Sequence, residues 1–215
     1  MYLKRQKAPK NWPIPRKGTA YIVRPNFKIH EGIPILIILR DILKLAQNRK
    51  EVKKAIYSKN ILLNDKIVTN EKNVALLLDI ITIIPSKKHY IIDLSEKGKF
   101  TVNEISKEKS MKKVAKIINK KTLKGKKNQL NLSDGRNFLS DIKCKVNDSV
   151  LIDFKSGKIE KCLPLKEKAN VIIFSGKHIG EKGIINEIDL SKKIAKLGID
   201  KKNVNVLIKQ LMVIE

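Results

Sequence analysis

Arg49-Lys-Glu-Val-Lys-Lys-Ala-Ile-Tyr-Ser-Lys-Asn-Ile-Leu-Leu-Asn-Asp-Lys-Ile-Val-Thr69 changes its period halfway along. The first half predicts a helix from Arg49 to about Lys59, with Val52, Ala55 and Ile56 pointing inward. Lys50, Lys53 and Lys54 share the opposite side, where no acid balances them. A charged stripe is ordinarily just a solvated face, but the missing counter-charge favours contact with phosphate. The second half predicts two short β segments flanking an Asn64–Asp65 turn, with Lys66 just beyond it.

Upstream, Ile35, Ile38, Leu39, Ile42, Leu43 and Ala46 follow a helical stripe, and Pro34 suits a first turn, so residues 33–48 are expected to be helical. Residues 1–32 read as a basic N-terminal arm. Lys4, Arg5, Lys7, Lys10, Arg16, Lys17, Arg24 and Lys28 all precede the first acid, Glu31. Pro9, Pro13, Pro15 and Pro25 forbid a regular helix. The arm is expected to be extended, mobile when free, and ordered on RNA. For Trp12, the only tryptophan, two readings stand: an anchor packing the arm onto the next domain, or a platform for an RNA base.

Downstream, the apolar run Val74 to Ile84 is expected to return as one strand. Residues 89–167 are β-rich, with hairpins around Lys97–Gly98 and Ser156–Gly157. Between those hairpins Lys107 to Lys127 carries ten lysines and one acid, Glu108. It reads as a solvated loop or an RNA-facing one. Residues 168–215 give strands near Val171–Phe174, Gly183–Ile188, Val204–Ile208 and Met212–Ile214, a spacing that suits a small β-barrel. Three of the ten glycines, Gly176, Gly180 and Gly183, fall in one loop with Lys177 and His178. Glycine permits a close approach of backbone to phosphate, although a hairpin that simply needs its glycines is the competing account. The spacing is not that of a Walker loop.

The formal net charge of +26 on 215 residues limits the partners. Like charges at this density repel, and a polyanion relieves the repulsion. No aliphatic run exceeds the five residues of Ile35 to Leu39, too short for a spanning helix. No membrane partner and no signal peptide are expected. Nucleic acid is the expected partner. Aromatics make up 5% of the chain, which argues against many stacked single-stranded bases and favours folded RNA or duplex backbone. There are six arginines against 41 lysines, and Arg5, Arg16, Arg24, Arg40, Arg49 and Arg136 are the places where a planar fork on phosphate or guanine is worth having. Cys144 and Cys162 are the only cysteines and read as small apolar residues, so no metal site is expected. His30, His89 and His178 stand far apart in sequence. No Ser/His/Asp set, metal cluster or nucleotide loop is visible, and neither an enzyme activity, a cofactor nor a small-molecule substrate is expected.

Four stretches resemble one family. Ala8-Pro-Lys-Asn-Trp-Pro-Ile-Pro-Arg-Lys-Gly18 is similar to the N-terminal signature of the S4e family of small-subunit ribosomal proteins, found in archaea and eukaryotes. Arg49 to Thr69 is similar to the S4-type RNA-binding fold, Gln129-Leu-Asn-Leu-Ser-Asp-Gly-Arg-Asn137 to the family's central segment, and Ser175 to Gly183 to a KOW motif. The match to Trp-Pro-Ile-Pro-Arg-Lys looks archaeal. The resemblance implies an α+β chain in four parts: the arm (1–32), a small α/β S4-type RNA-binding domain (33–88), a β-rich central domain (89–167) and a KOW small β-barrel (168–215). It also implies a structural ribonucleoprotein constituent of the small ribosomal subunit, serving translation in the cytoplasm, with ribosomal RNA and neighbouring small-subunit proteins as partners. Candidate RNA-binding residues are Lys4, Arg5, Lys7, Lys10, Trp12, Arg16, Lys17, Arg24, Arg49, Lys50, Lys53, Lys54, Lys66, Arg136, Gly176, Lys177, His178, Gly180 and Gly183. The alternatives are an RNA-modifying enzyme with an S4-type targeting module and a KOW-bearing transcription factor.

Overall fold

The computed structural model describes residues 2–123, 127–140, 142–199 and 202–214. Positions 124–126 of the lysine-rich stretch, Met1 of the arm, and positions 200–201 before the strand expected near Val204 lie outside the described residues. The chain divides into two units, Met1–Met111 and Lys112–Glu215.

In the first unit the arm folds back on itself. β1 (Leu3–Lys4) pairs antiparallel with β2 (Tyr21–Ile22). The Arg5 guanidinium closes the loop between them, donating to the Thr19 and Pro15 carbonyls at 2.7 and 2.9 Å and to the Thr19 hydroxyl at 2.7 Å. Trp12 is only 2% exposed, and its indole N–H donates to the Gly32 carbonyl at 2.9 Å. The Asn11 carbonyl accepts from the Phe100 N–H at 2.9 Å. The expectation of a free, extended arm is therefore corrected. The arm has no apolar stripe of its own, but it borrows a core by sinking one large indole among residues distant in sequence.

β3 (Gly32–Pro34) leads into a single α-turn, α1 (Ile35–Ile37), and then a π-helical turn over Ile38–Ile42. The expected helix over 33–48 is shorter than its stripe. The Leu43 N–H bonds back five residues, to the Ile38 carbonyl, and Lys44 takes a positive φ of 52°. All five residues Ile35 to Leu39 are buried, so this segment is core on every side.

α2 (Arg49–Tyr57) forms where the sequence predicts it. Asn48 caps it by accepting from the Glu51 N–H at 3.1 Å, and Glu51 reaches back to the Gln47 N–H at 2.7 Å. This is a variant of the capping box in which the return bond falls on the residue before the cap. Val52 and Ile56 are buried.

β4 (Ile61–Leu63) and β5 (Lys66–Ile67) flank the Asn64–Asp65 turn, whose φ angles of 51° and 62° suit a two-residue hairpin. The run Val74 to Ile84 is two strands rather than one: β6 (Val74–Leu76) and β7 (Ile80–Ile83). Leu78, at φ 60°, breaks it. The buried Asp79 carboxylate then locks the turn, accepting from the Leu76 N–H at 2.7 Å and from the Asn64 amide at 2.8 Å. β6 pairs with β3, whereas β7 joins β4 in the sheet β5-β4-β7-β8-β9. Its last members are β8 (Lys88–Leu94) and β9 (Phe100–Ile105). The hairpin after residue 88 thus completes the sheet of the preceding segment, because Ile80 to Ile83 pairs with Lys88 to Ile91.

The second unit opens with an eleven-residue strand, β10 (Lys112–Thr122). The lysine-rich stretch is therefore largely strand, and this corrects the reading of it as a loop. β11 (Asn128–Leu132), β12 (Asn137–Leu139), β13 (Ser149–Asp153) and β14 (Lys158–Leu163) complete the sheet β12-β11-β10-β13-β14. A second antiparallel sheet contains β15 (Asn170–Ile173), β16 (Lys182–Asp189), β17 (Ile194–Ile199), β18 (Lys202–Leu207) and β19 (Leu211–Val213), in the order β18-β17-β16-β15-β19. β17 falls between the strands expected near Gly183–Ile188 and Val204–Ile208 and pairs with both β16 and β18. The sheets are tied by buried polar contacts, such as the Val213 N–H donating to the Ser149 hydroxyl at 3.0 Å.

Candidate nucleic-acid interface

One face of α2 and the loop after β5 enclose a hollow of about 210 Å³ lined by Arg49, Lys53, Tyr57, Thr69, Asn70 and Lys72, with Glu71 among them. A second hollow of about 300 Å³ adjoins it. Arg24, Arg40, Tyr2 and Tyr21 line that one, and it shares Arg49 and Lys72 with the first. Arg49 and Lys72 form the common wall of the two hollows, which together are called the cleft, lined by α2 on one side and the arm on the other.

Within the cleft the Arg49 guanidinium donates to the Glu71 carboxylate, with Nε 3.1 Å away. Burial by itself would raise the Glu71 pKa. The hydrogen bond from Arg49, a bond from its own backbone N–H, and the charges of Arg49 and Lys53 together carry it below the usual carboxylate value. Glu71 is thus a fixed anion that positions Arg49, and half of the Arg49 side chain stays exposed. Arg40 is held by a fork onto its neighbour Asp41, at 3.1 and 2.9 Å. Both are planar guanidinium groups held in place by carboxylates, beside Lys53, Lys72 and Arg24 in the cleft walls.

The other arm and α2 candidates divide by exposure. Lys4, Lys7, Lys10, Arg16 and Lys17 are exposed on the arm, as are Lys50 and Lys54 on α2 and Lys66 on the β4–β5 hairpin. Arg24 and Lys53 are half-buried in the cleft walls. One candidate is corrected. Trp12 is sealed in the core, so of its two readings the anchor is the one seen, and its ring has no face left for a base. Arg5 spends its fork on the carbonyls and hydroxyl of its own loop.

In the second unit Arg136 lies over the Phe154 ring at 5.5 Å, and its Nε sits 3.6 Å from Asp134. Asp134 also faces the buried Lys113 ammonium at 3.1 Å. Burial would raise the Asp134 pKa, but the Lys113 charge, a backbone bond from Arg136 and the Arg136 charge hold it below the usual range.

In the glycine loop Lys177 is exposed, and His178 Nδ1 lies 3.1 Å from a Glu181 carboxylate oxygen. Gly176 and Gly180 have φ of 101° and 93°, so the turn needs them. Gly180 is buried and its N–H bonds the Ile173 carbonyl at 2.8 Å. A Cβ on Gly183 would stand 2.7 Å from the Gly198 carbonyl and 2.8 Å from Ile199. The close approach at Gly183 is to the neighbouring strand, which corrects its assignment to phosphate.

Two other features escaped the sequence reading. Lys116 is buried, and its ammonium donates to the carbonyls of Ile208, Lys209 and Leu211 at 2.6, 3.1 and 2.7 Å. Burial, helped by the Lys209 charge, pushes its pKa down to about 8. Tyr2 and Tyr21 also went unnoticed, although two of the chain's four tyrosines falling in a basic arm was the available signal. Among the described residues no group of His, Cys, Asp and Glu is placed to hold a metal ion, and no helix is long and apolar enough to cross a membrane.

Comparison with known proteins gives one answer. Residues 86–159 match the family model described as Ribosomal family S4e, and residues 2–27 match the RS4NT (NUC023) domain. The small ribosomal subunit protein eS4 of Methanothermobacter thermautotrophicus is 34% identical over 194 residues, covering 89% of this chain and 80% of that one. The eS4 of Nanoarchaeum equitans is 34% identical over 191 residues, covering 87% and 82%. The crystal structure of the 30S ribosomal protein S4e from Thermoplasma acidophilum superposes with a TM-score of 0.73 at 23% identity, covering 86% of this chain and 95% of that one, and so shares its mostly β fold. With the arm, the central segment and the fold all matching, the chain belongs to the eS4 (S4e) family of small ribosomal subunit proteins, in its archaeal form.

Proposed function

We propose that the chain is a structural constituent of the small ribosomal subunit that binds ribosomal RNA through the basic cleft shared by the arm and α2. The observation that carries this reading is the sharing of Arg49 and Lys72 by both hollows, which makes one cationic surface from segments more than twenty residues apart. Exposed Lys50, Lys54 and Lys66 extend it on the same unit. In the second unit Lys177 and Arg136 are the proposed contacts. The finer assignments belong to the same proposal: residues 33–88 act as an S4-type RNA-binding module and 168–215 as a KOW module. Neighbouring small-subunit proteins are the expected protein partners, the cytoplasmic ribosome the expected location, and the role is structural, with no catalytic step.

The test is a salt titration of affinity for the small-subunit ribosomal RNA of Methanothermobacter thermautotrophicus. Each phosphate contact should add somewhat under one logarithmic unit to the slope of log K against log salt. A slope near zero, or failure of the chain to co-sediment with small subunits, would overturn the proposal.

A further inference from the structure

The cleft holds an unexpected concentration of aromatic rings. Tyr2 is 76% exposed, Tyr21 57% and Tyr57 75%, while Tyr90, the remaining tyrosine, lies in the core. All three exposed tyrosines line the double cleft: Tyr2 and Tyr21 the larger hollow, Tyr57 the smaller. Tyr2 and Tyr21 touch with ring centroids 5.9 Å apart and planes tilted by 54°. Tilted rings do not cover each other's faces, so each still presents π-surface to solvent. Arg49 and Lys72, common to both hollows, stand between the pair and Tyr57.

We propose that Tyr2, Tyr21 and Tyr57 form a stacking track for a short run of unpaired RNA bases, with Arg24, Arg49 and Lys72 meeting its phosphates. The track rests on the RNA-binding reading above and makes it more specific. A duplex backbone is satisfied by cations alone and has no use for exposed rings, since its base faces are already stacked. Unpaired bases do offer faces, and aromatic side chains set among cations are how proteins take hold of them. The 300 Å³ hollow is of a size for a small ligand or a single nucleotide unit. A low average aromatic content says little about such a track, because three rings are enough when they are gathered in one place.

The experiment uses the full chain and two probes: a single-stranded hexaribonucleotide carrying 2-aminopurine, and a blunt RNA duplex. The wild type should bind both and quench the 2-aminopurine. Tyr2→Ala/Tyr21→Ala should weaken single-strand binding by about ten-fold or more and abolish the quenching, whereas duplex affinity stays within about two-fold. Tyr2→Phe/Tyr21→Phe should behave as wild type. If the alanine pair unsettles the arm, Tyr57→Ala, on the exposed side of α2, should still weaken single-strand binding selectively. Equal losses on both probes, or none, overturn the track. Duplex binding by a wild type that ignores the single strand overturns the track and leaves RNA binding standing. Failure to bind either probe overturns both.

Discussion

Replacing Lys116 by Met tests whether a buried ammonium holds the two sheets of the second unit together. The substitution keeps the length of the side chain and removes three charged hydrogen bonds to the carbonyls of Ile208, Lys209 and Leu211. Hydrogen bonds from a charged donor are worth about 1.5–3 kcal/mol each. Against that stands the cost of burying the charge. A fall in pKa from 10.5 to about 8 corresponds, at 1.36 kcal/mol per unit, to about 3 kcal/mol. The net loss at pH 7 should be about 1.5–6 kcal/mol, read as a drop in melting temperature of roughly 3–20 °C.

The pH dependence separates this account from a simple packing defect. Below pH 8 the folded and unfolded states both hold the proton, and the burial cost is felt in full. Between about 8 and 10.5 the folded state has released it while the unfolded chain still binds it. Stability must then rise with pH, because the unfolded state binds more protons. From this one group the wild type should gain about 2.5 kcal/mol by pH 10. The Met variant lacks the titrating group, so the gap between the two proteins should widen from pH 7 to pH 10. Urea denaturation at both pH values measures it. A gap that stays constant, or narrows, refutes the buried, depressed lysine.

Trp12→Ala should cost about 3–5 kcal/mol, as the removal of a fully buried aromatic does, and should release the amides of residues 2–22 to fast hydrogen exchange. Lys50, Lys53 and Lys54 changed together to Gln should shift melting by no more than a degree or two, while the salt slope for RNA falls by up to about 0.9 for each phosphate these lysines had neutralised. Gly183→Ala brings a methyl group to within 2.7 Å of the Gly198 carbonyl. The melting temperature should fall, with RNA affinity per folded molecule unchanged, and the reverse outcome would restore a phosphate-facing role for this glycine.

Local chemistry was legible in the sequence and distant chemistry was not. The α2 helix and the Asn64–Asp65 turn carry their own instructions, since the cap, the apolar stripe and the positive φ all involve near neighbours. Lys113 and Lys116 do not. Lys113 is buried because of Asp134, 21 positions away, and Lys116 because of carbonyls 92 to 95 positions away. A lysine-rich stretch therefore looked solvated when half of it is a central strand. Trp12 and its acceptor Gly32 lie 20 residues apart, so a proline-rich arm looked free. The strand break at Leu78 was hidden because leucine rarely takes a positive φ, and it is Asp79 that makes this one tolerable. The charge forecast the cleft's sign, but its lining depends on the arm meeting α2, which no local pattern encodes.

The seating of Trp12 bears on how the subunit assembles in time. An arm that folded only on RNA would add a first-order step after collision, and the observed rate would level off as RNA concentration rises. An arm fastened by its indole would arrive with the backbone carrying Lys4, Lys7, Arg16 and Lys17 already folded. The encounter is then a single bimolecular event, with a rate that climbs in proportion to RNA and is slowed by salt through attraction alone. The burial of one indole, with the bonds that close the arm around it, would thus set whether this protein waits on its RNA or meets it ready-made.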